Sequence, residues 1–190
     1  MAIPASLLAA FRAVGEDLFA HRLIGGAAGN LSARTAEGLW ITRSGARKHR
    51  LTEADLLLVP LEPDPVRDRG ASVELLLHRA VYQSTDAGAV VHAHPRTAVA
   101  LSLVLERIVP LDLEGRFYLG EVPVLSPASV SASPEAAAAI AAAIPEHPVV
   151  LLRGHGAFAR GRDLYEAYAR MSALEESAEV LFKQRLWEGA

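Results

Sequence analysis

Two histidines stand two residues apart in the run Val90-Val91-His92-Ala93-His94-Pro95. In an extended strand, alternate residues project from one face, so His92 and His94 point together and can chelate one cation. Taken alone, such a pair is as often a packed or surface pair as a metal site. A third histidine, His155, follows the apolar run at residues 149–152 and is flanked by Gly154 and Gly156. Glycine there lets the backbone turn sharply and leaves space beside the imidazole. Three histidines with an open fourth position form the ligand pattern of a catalytic zinc site rather than a closed structural one. Glu74 precedes the His-x-His run by one helix length. Beside a metal, its carboxylate can act as ligand or proton acceptor; alone, it would more often be a solvated glutamate complementing a helix dipole. His78, one turn further on, reads as structural first and as support for the site second.

Two loops have the chemistry to hold an anion. Gly29-Asn30-Leu31-Ser32 offers an amide, a hydroxyl and a flexible backbone. Thr42-Arg43-Ser44-Gly45 offers hydroxyls, backbone N–H groups and an arginine. Ser72 adds a hydroxyl at an expected helix N-terminus, where free N–H groups and the helix dipole favour negative charge. Each alone is an ordinary turn or cap. The glycine spacings fit neither a P-loop nor a dinucleotide fingerprint.

Those residues need elements to position them. Ser6 can cap a first helix whose Leu7, Phe11, Val14 and Leu18 line one face. Short β-favouring runs at residues 39–42 and 56–61 follow, and residues 62–70 (EPDPVRDRG) read as loop. Ser72 is placed to cap a helix over residues 73–84. Asp86-Ala87-Gly88 then turns the chain into a strand over residues 89–94. Pro95 suits the first turn of a helix reaching about residue 105. A strand at residues 122–125, a Ser133-Pro134-capped helix to residue 144, a strand at residues 149–152 and a long amphipathic C-terminal helix complete the reading. Alternating strands and helices predict an α/β fold with helices packed on the sheet faces. With no repeat and no linker, the 190 residues are expected to form a single domain.

Composition narrows the chemistry. The absence of cysteine excludes a disulfide framework, a thiolate metal site and a cysteine nucleophile. A net charge of −3 without a basic stripe argues against nucleic acid as a partner. The N-terminus lacks the charged region of a signal peptide, and the most apolar stretches fall far short of the ~20 residues of a membrane span. A cytoplasmic protein is the expectation. Lysine occurs only at 48 and 183, against seventeen arginines.

In chain order, GNLS at 29–32, ITRSG at 41–45, ELLLH at 74–78, AVYQ at 80–83, AVVHAHP at 89–95, VPVL at 122–125 and LLRGHG at 151–156 form a pattern that resembles the class II aldolase/adducin family. The resemblance covers nearly the whole chain, and it is carried by the order and spacing of the motifs together. It implies a three-layer α/β/α domain with a mainly antiparallel central sheet, assembled as a homotetramer with active sites near subunit boundaries. It places one zinc ion per subunit on His92, His94 and His155, the acid/base role on Glu74, and a phosphate site on Asn30, Ser44, Gly45 and Ser72. The implied reaction cleaves a ketose 1-phosphate, such as L-fuculose 1-phosphate, to dihydroxyacetone phosphate and an aldehyde through an enediolate. Dehydration or 4-epimerisation of a sugar phosphate on the same scaffold is the alternative, as is an adducin-like domain without catalysis. Two departures stand out. Many relatives carry two adjacent serines before the glutamate, whereas this chain reads Ala71-Ser72-Val73-Glu74. A tyrosine that in the aldolase follows the proline-rich middle region has no counterpart in register; Tyr118 lies nearby, and Glu114 or Arg116 could take its part.

Overall fold

A computed structural model describes residues 2–188. The elements are α1 (Ala5–Ala20), β1 (Asn30–Thr35), β2 (Gly38–Thr42), β3 (Leu56–Val59), α2 (Leu75–Ser84), β4 (Ala89–Ala93), α3 (Arg96–Ser102), β5 (Arg107–Ile108), α4 (Leu113–Tyr118), β6 (Val122–Leu125), α5 (Pro134–Ala143), β7 (Val149–Leu152), β8 (Gly156–Gly161) and α6 (Leu164–Glu188). The strands form one sheet in the order β3-β2-β1-β4-β8-β7-β6-β5. Every neighbouring pair is antiparallel except β6 and β7, which run parallel. The sheet is therefore mainly antiparallel, as expected.

Strand periodicity sorts the side chains into two cores. Along β4, Ala89, Val91 and Ala93 enter one apolar cluster with Phe11, Leu18, Met171 and Leu174 from α1 and α6. Val90 enters the opposite cluster with Leu77 and Val81 of α2 and Ile140 of α5. Helices cover both faces, which gives the α/β/α layers. The spacing read along α6 proves to be intramolecular core, since Leu164, Met171, Leu174, Ala178 and Leu181 are all buried. Among the described residues no helix is long and apolar enough to cross a membrane.

Several boundaries differ from the sequence reading. The N-cap of α1 is Pro4, so Ser6 lies inside the first turn. Helix α2 starts at Leu75 with Glu74 as its N-cap, two residues later than expected. The Ser72 hydroxyl accepts from Glu74 N–H at 3.3 Å and caps the turn that precedes the helix. Pro95 is the N-cap of α3, and that helix stops at Ser102, whose carbonyl accepts from the Arg153 guanidinium. At α5, Ser133 caps as expected, its Oγ accepting from Ala136 N–H at 3.0 Å, with Pro134 in the first turn. Strands β1 and β8, which flank β4, were not foreseen.

The loop over residues 62–70 is tied to α2. Buried Arg79 makes a bidentate pair with Asp68, both N–O distances being 2.7 Å, and also donates to the carbonyls of Pro60 and Glu62. Fork-to-fork geometry of this kind is the strong form of an ion pair. The far end of the loop reaches the anion-loop region, because Gly70 carbonyl accepts from Ser44 N–H at 3.1 Å.

Candidate metal centre and anion cleft

His92 is the fourth residue of β4, a central strand, and is buried against Phe158 of β8, with ring centroids 4.2 Å apart and an interplanar angle of 18°. Its Nδ1 lies 2.9 Å from the Ala157 carbonyl. A carbonyl can only accept, so Nδ1 carries the proton and Nε2 keeps its lone pair. The same logic holds for His155, whose Nδ1 donates to the Val130 carbonyl at 2.9 Å. His94 lies just beyond β4 and brings its Nε2 to 3.1 Å from that of His92. One ligand atom from each of the three rings falls within 4.8 Å of the others. His155 reaches the group from the turn between β7 and β8, where Gly154 adopts φ +67°, a left-handed conformation that suits glycine.

Gly156 makes the convergence feasible. A Cβ at that position would lie 2.5 Å from His94 Cδ2, 2.6 Å from the Ala93 carbonyl oxygen and 3.0 Å from His92 Cε1. The two rings occupy the space a side chain would need. Burial first, then the neighbouring His94 and His155, holds the His92 pKa well below the ordinary imidazole value. Burial, then His155, lowers that of His94. Both rings are therefore neutral, the form in which imidazole binds a cation. Two tautomers locked by carbonyls, lone pairs gathered at metal-bridging separations and no thiolate nearby make a donor set that fits zinc or a similar borderline divalent ion.

Glu74 is 3% exposed, and its Oε1 lies 3.8 Å from His155 Nε2. Ser131 Oγ donates to Oε1 at 2.6 Å and Ala132 N–H donates to Oε2 at 3.1 Å. These donors hold the carboxylate beside the histidines. Neither was found from sequence, which assigned nothing to residues 126–132.

The anion candidates come together at the same place. Asn30 pairs with His92 across β1 and β4. Its Oδ1 accepts from His78 Nε2–H, so the His78 Nδ1 in turn accepts from Ser32 Oγ at 2.6 Å, and Ser32 lies 2.8 Å from Tyr82 Oη. This chain leaves the Asn30 NH₂ group to the cleft. Full burial pushes the His78 pKa down to about 3, so it stays neutral within the chain. A cleft of about 190 Å³ is lined by all eight residues expected at the site: Asn30, Ser44, Gly45, Ser72, Glu74, His92, His94 and His155. Lys48 lines it too. Sequence reasoning missed Lys48, although one of only two lysines placed three residues after Ser44-Gly45 was a usable signal. A second cleft of about 390 Å³, lined by Arg22, Ile24, Arg96 and Val99, also opens onto His94 and His155. Glu114, Arg116 and Tyr118 sit on α4 and line neither cleft.

Residues 9–182 match the family described as Class II Aldolase and Adducin N-terminal domain. The methylthioribulose-1-phosphate dehydratase of Acidiphilium cryptum is 38% identical over 178 residues, covering 86% of this chain and 83% of that protein. An L-fuculose phosphate aldolase of Methanocaldococcus jannaschii is 26% identical over 174 residues, covering 90% and 92%. The crystal structure of L-fuculose-1-phosphate aldolase from Thermus thermophilus superposes with a TM-score of 0.95 at 58% identity, covering 98% of each chain. Aldol cleavage and dehydration both break a bond without hydrolysis or redox. The chain belongs to the class II aldolase and adducin N-terminal domain family, and is an enzyme of its lyase branch.

Proposed function

We propose that this enzyme is a zinc-dependent aldolase that cleaves a ketose 1-phosphate, with L-fuculose 1-phosphate the first substrate to try, to dihydroxyacetone phosphate and an aldehyde. The observation that carries the reading is the meeting of two clefts at His94 and His155, with His92 on the wall of the first. One cleft presents Asn30, Ser44, Gly45 and Ser72 for a phosphate; the other presents Ile24, Val99 and two arginines to the rest of the sugar. A ketose phosphate laid across them puts its carbonyl end at His92, His94 and His155. A divalent cation held by these three imidazoles supplies Lewis-acid stabilisation of the charge that collects on the substrate's carbonyl and hydroxyl oxygens. Glu74, fixed by Ser131 and Ala132, moves a proton to or from the carbon beside the carbonyl. The anion loops use remote binding energy to keep the reacting carbons in register with that carboxylate.

The 58% identity to the Thermus thermophilus protein supports the aldolase reading. A second reading, dehydration of methylthioribulose 1-phosphate, is favoured by the 38% identity to the Acidiphilium cryptum protein. Both need the same histidines and glutamate and differ in the bond that breaks. Purified protein supplied with zinc is incubated with each phosphate, and dihydroxyacetone phosphate is measured by coupled NADH oxidation. Its release from the fuculose ester supports the aldolase; water loss from the thioribulose ester without it installs the dehydratase; turnover of neither rejects both. Glu74→Gln is expected to lower turnover by about 100-fold or more.

We also read the chain as one domain and as a cytoplasmic homotetramer. In support of self-association, Leu103 and Val104 after α3 and Leu113 and Phe117 on α4 are exposed apolar side chains, Phe117 at 80%. A single monomeric species in sedimentation at micromolar concentration would reject the tetramer.

A further inference from the structure

Lys48 is a buried cation with no carboxylate in contact. It is 2% exposed and opens the 3-10 turn Lys48–Arg50. Its Nζ donates to the carbonyls of Ala27 at 2.7 Å and Ala46 at 2.8 Å, and it takes part in none of the ion pairs among the described residues. An ammonium group has three N–H donors. Two meet neutral oxygens, and the side chain borders the cleft that holds Asn30, Ser44, Gly45 and Ser72. The two carbonyls belong to the two anion loops, since Ala27 precedes Gly29-Asn30 and Ala46 follows Ser44-Gly45. The ammonium therefore sits at the seam between those loops.

The surrounding charges do not neutralise it. The Asp55 carboxylate acts on it at a distance and is itself engaged by Thr52. Arg43, a second cation on the cleft wall, commits its Nε to the Ala54 carbonyl. Glu74 is held by Ser131 and Ala132 on the histidine side of the cleft, and Lys48 lowers the pKa of His94 through space. Helix α1 meets Lys48 with Gly15, which brings no charge. Burial outweighs the Asp55 attraction and draws the Lys48 pKa down from 10.5 to about 8. A desolvated positive charge is costly unless an anion is there to meet it. The amides and hydroxyls of Asn30, Ser44 and Ser72 give the cleft direction but no net charge.

We propose that Lys48 is the counter-charge of the anion cleft, its third N–H binding the substrate's phosphate and setting the preference for phosphorylated over unphosphorylated sugars. The inference rests on the reading that a phosphate enters this cleft.

The test uses the zinc-loaded wild-type protein, Lys48→Met and Lys48→Arg. Inorganic phosphate binding is measured by titration calorimetry, and KM and kcat are measured on the substrate that turns over. Loss of a charge-assisted hydrogen bond predicts phosphate binding weakened by about 10- to 100-fold in Lys48→Met. KM should rise in parallel, kcat should change by less than about threefold, and Lys48→Arg should recover part of the affinity. A folded Lys48→Met that binds phosphate within twofold of wild type, or loses kcat with KM unmoved, overturns the proposal and leaves Lys48 a loop tie. If neither variant folds, wild-type protein decides: affinity should fall as pH rises through 8, and a level affinity across that range overturns the idea. Wild-type protein that binds no phosphate at any pH rejects the phosphate reading of the cleft itself, and this inference with it.

Discussion

Replacing Gly156 with alanine puts a methyl group where two candidate ligand rings meet. The new Cβ would stand 2.5 Å from His94 Cδ2 and 2.6 Å from the Ala93 carbonyl oxygen, whereas ordinary contact begins at 3.4 Å. Relief on the imidazole side alone requires the His94 ring to retreat by about 0.9 Å, several times the ~0.2 Å tolerance of a metal–ligand bond. Retreat on the other side is harder, because Ala93 pairs with Ala157 in the middle of the sheet. Overpacking of this kind costs about 1–3 kcal/mol. Displacing one ligand should also weaken metal binding by about 10- to 100-fold. Thermal unfolding in excess chelator reads the packing cost alone, and competition with a chromophoric chelator reads the metal affinity. Gly26→Ala serves as control, since a Cβ there meets nothing within 4 Å, and its stability should stay within about 0.5 kcal/mol of wild type. If Gly156→Ala unfolds with wild-type stability and binds metal within twofold of wild type, then the rings do not depend on the missing side chain, and the account of this turn fails.

His155→Ala should abolish measurable zinc retention after dialysis while leaving chelator-treated stability nearly unchanged, because that ring is partly exposed and, among the described residues, makes one hydrogen bond, to the Val130 carbonyl, with Glu74 Oε1 3.8 Å from its Nε2. Arg79→Met should cost about 3 kcal/mol in urea unfolding, since it strands Asp68 and releases the loop over residues 62–70. Hydrogen bonding from Arg79 is the largest effect lowering the Asp68 pKa below 3.8, so this stabilisation is present above that value and lost as pH falls through the lower folded pKa; the gap between wild type and Arg79→Met should narrow in acid. Lys48 has the same sign of dependence on rising pH, here as relief of a burial penalty: its folded pKa of about 8 lies below the unfolded 10.5, so the unfolded chain holds more protons between those values. Its contribution to the unliganded protein should therefore improve from pH 8 towards 10.5, a trend that Lys48→Met should lack.

Much of the site could be read from residue order because its parts are local or carry a distinct chemistry. The period of two in β4 places His92 and His94 on one face whatever the strand pairs with. Gly154 and Gly156 around His155 mark a sharp turn at the end of an apolar run. Helix α5 was legible for the same reason, its Ser133-Pro134 start being a local hydrogen-bond signal. The strands β1 and β8 escaped notice because their burial is not advertised by apolar pattern. Buried Ser32 and Asn30 in β1 are satisfied by His78 and Tyr82 from α2, partners 46 to 50 residues away in the chain. Arg160 in β8 likewise sends its guanidinium to the carbonyls of Ile144 and Pro145. Polar residues read as loop when the groups that satisfy them are distant.

By itself, the sequence determined the class of fold, the exclusion of thiolate ligands by the lack of cysteine, and the candidates His92, His94, His155, Glu74, Asn30, Ser44, Gly45 and Ser72. Only the tertiary structure decided that β4 lies between β1 and β8, which brings Asn30 alongside His92 and the β7–β8 turn onto His94. It alone placed Lys48 at the seam of two loops and put Ser131 and Ala132 on Glu74. The reason is physical: periodicity and composition act over a few residues, whereas charge burial and ligand geometry depend on which distant backbones come within about 3 Å of each other, the reach of a hydrogen bond.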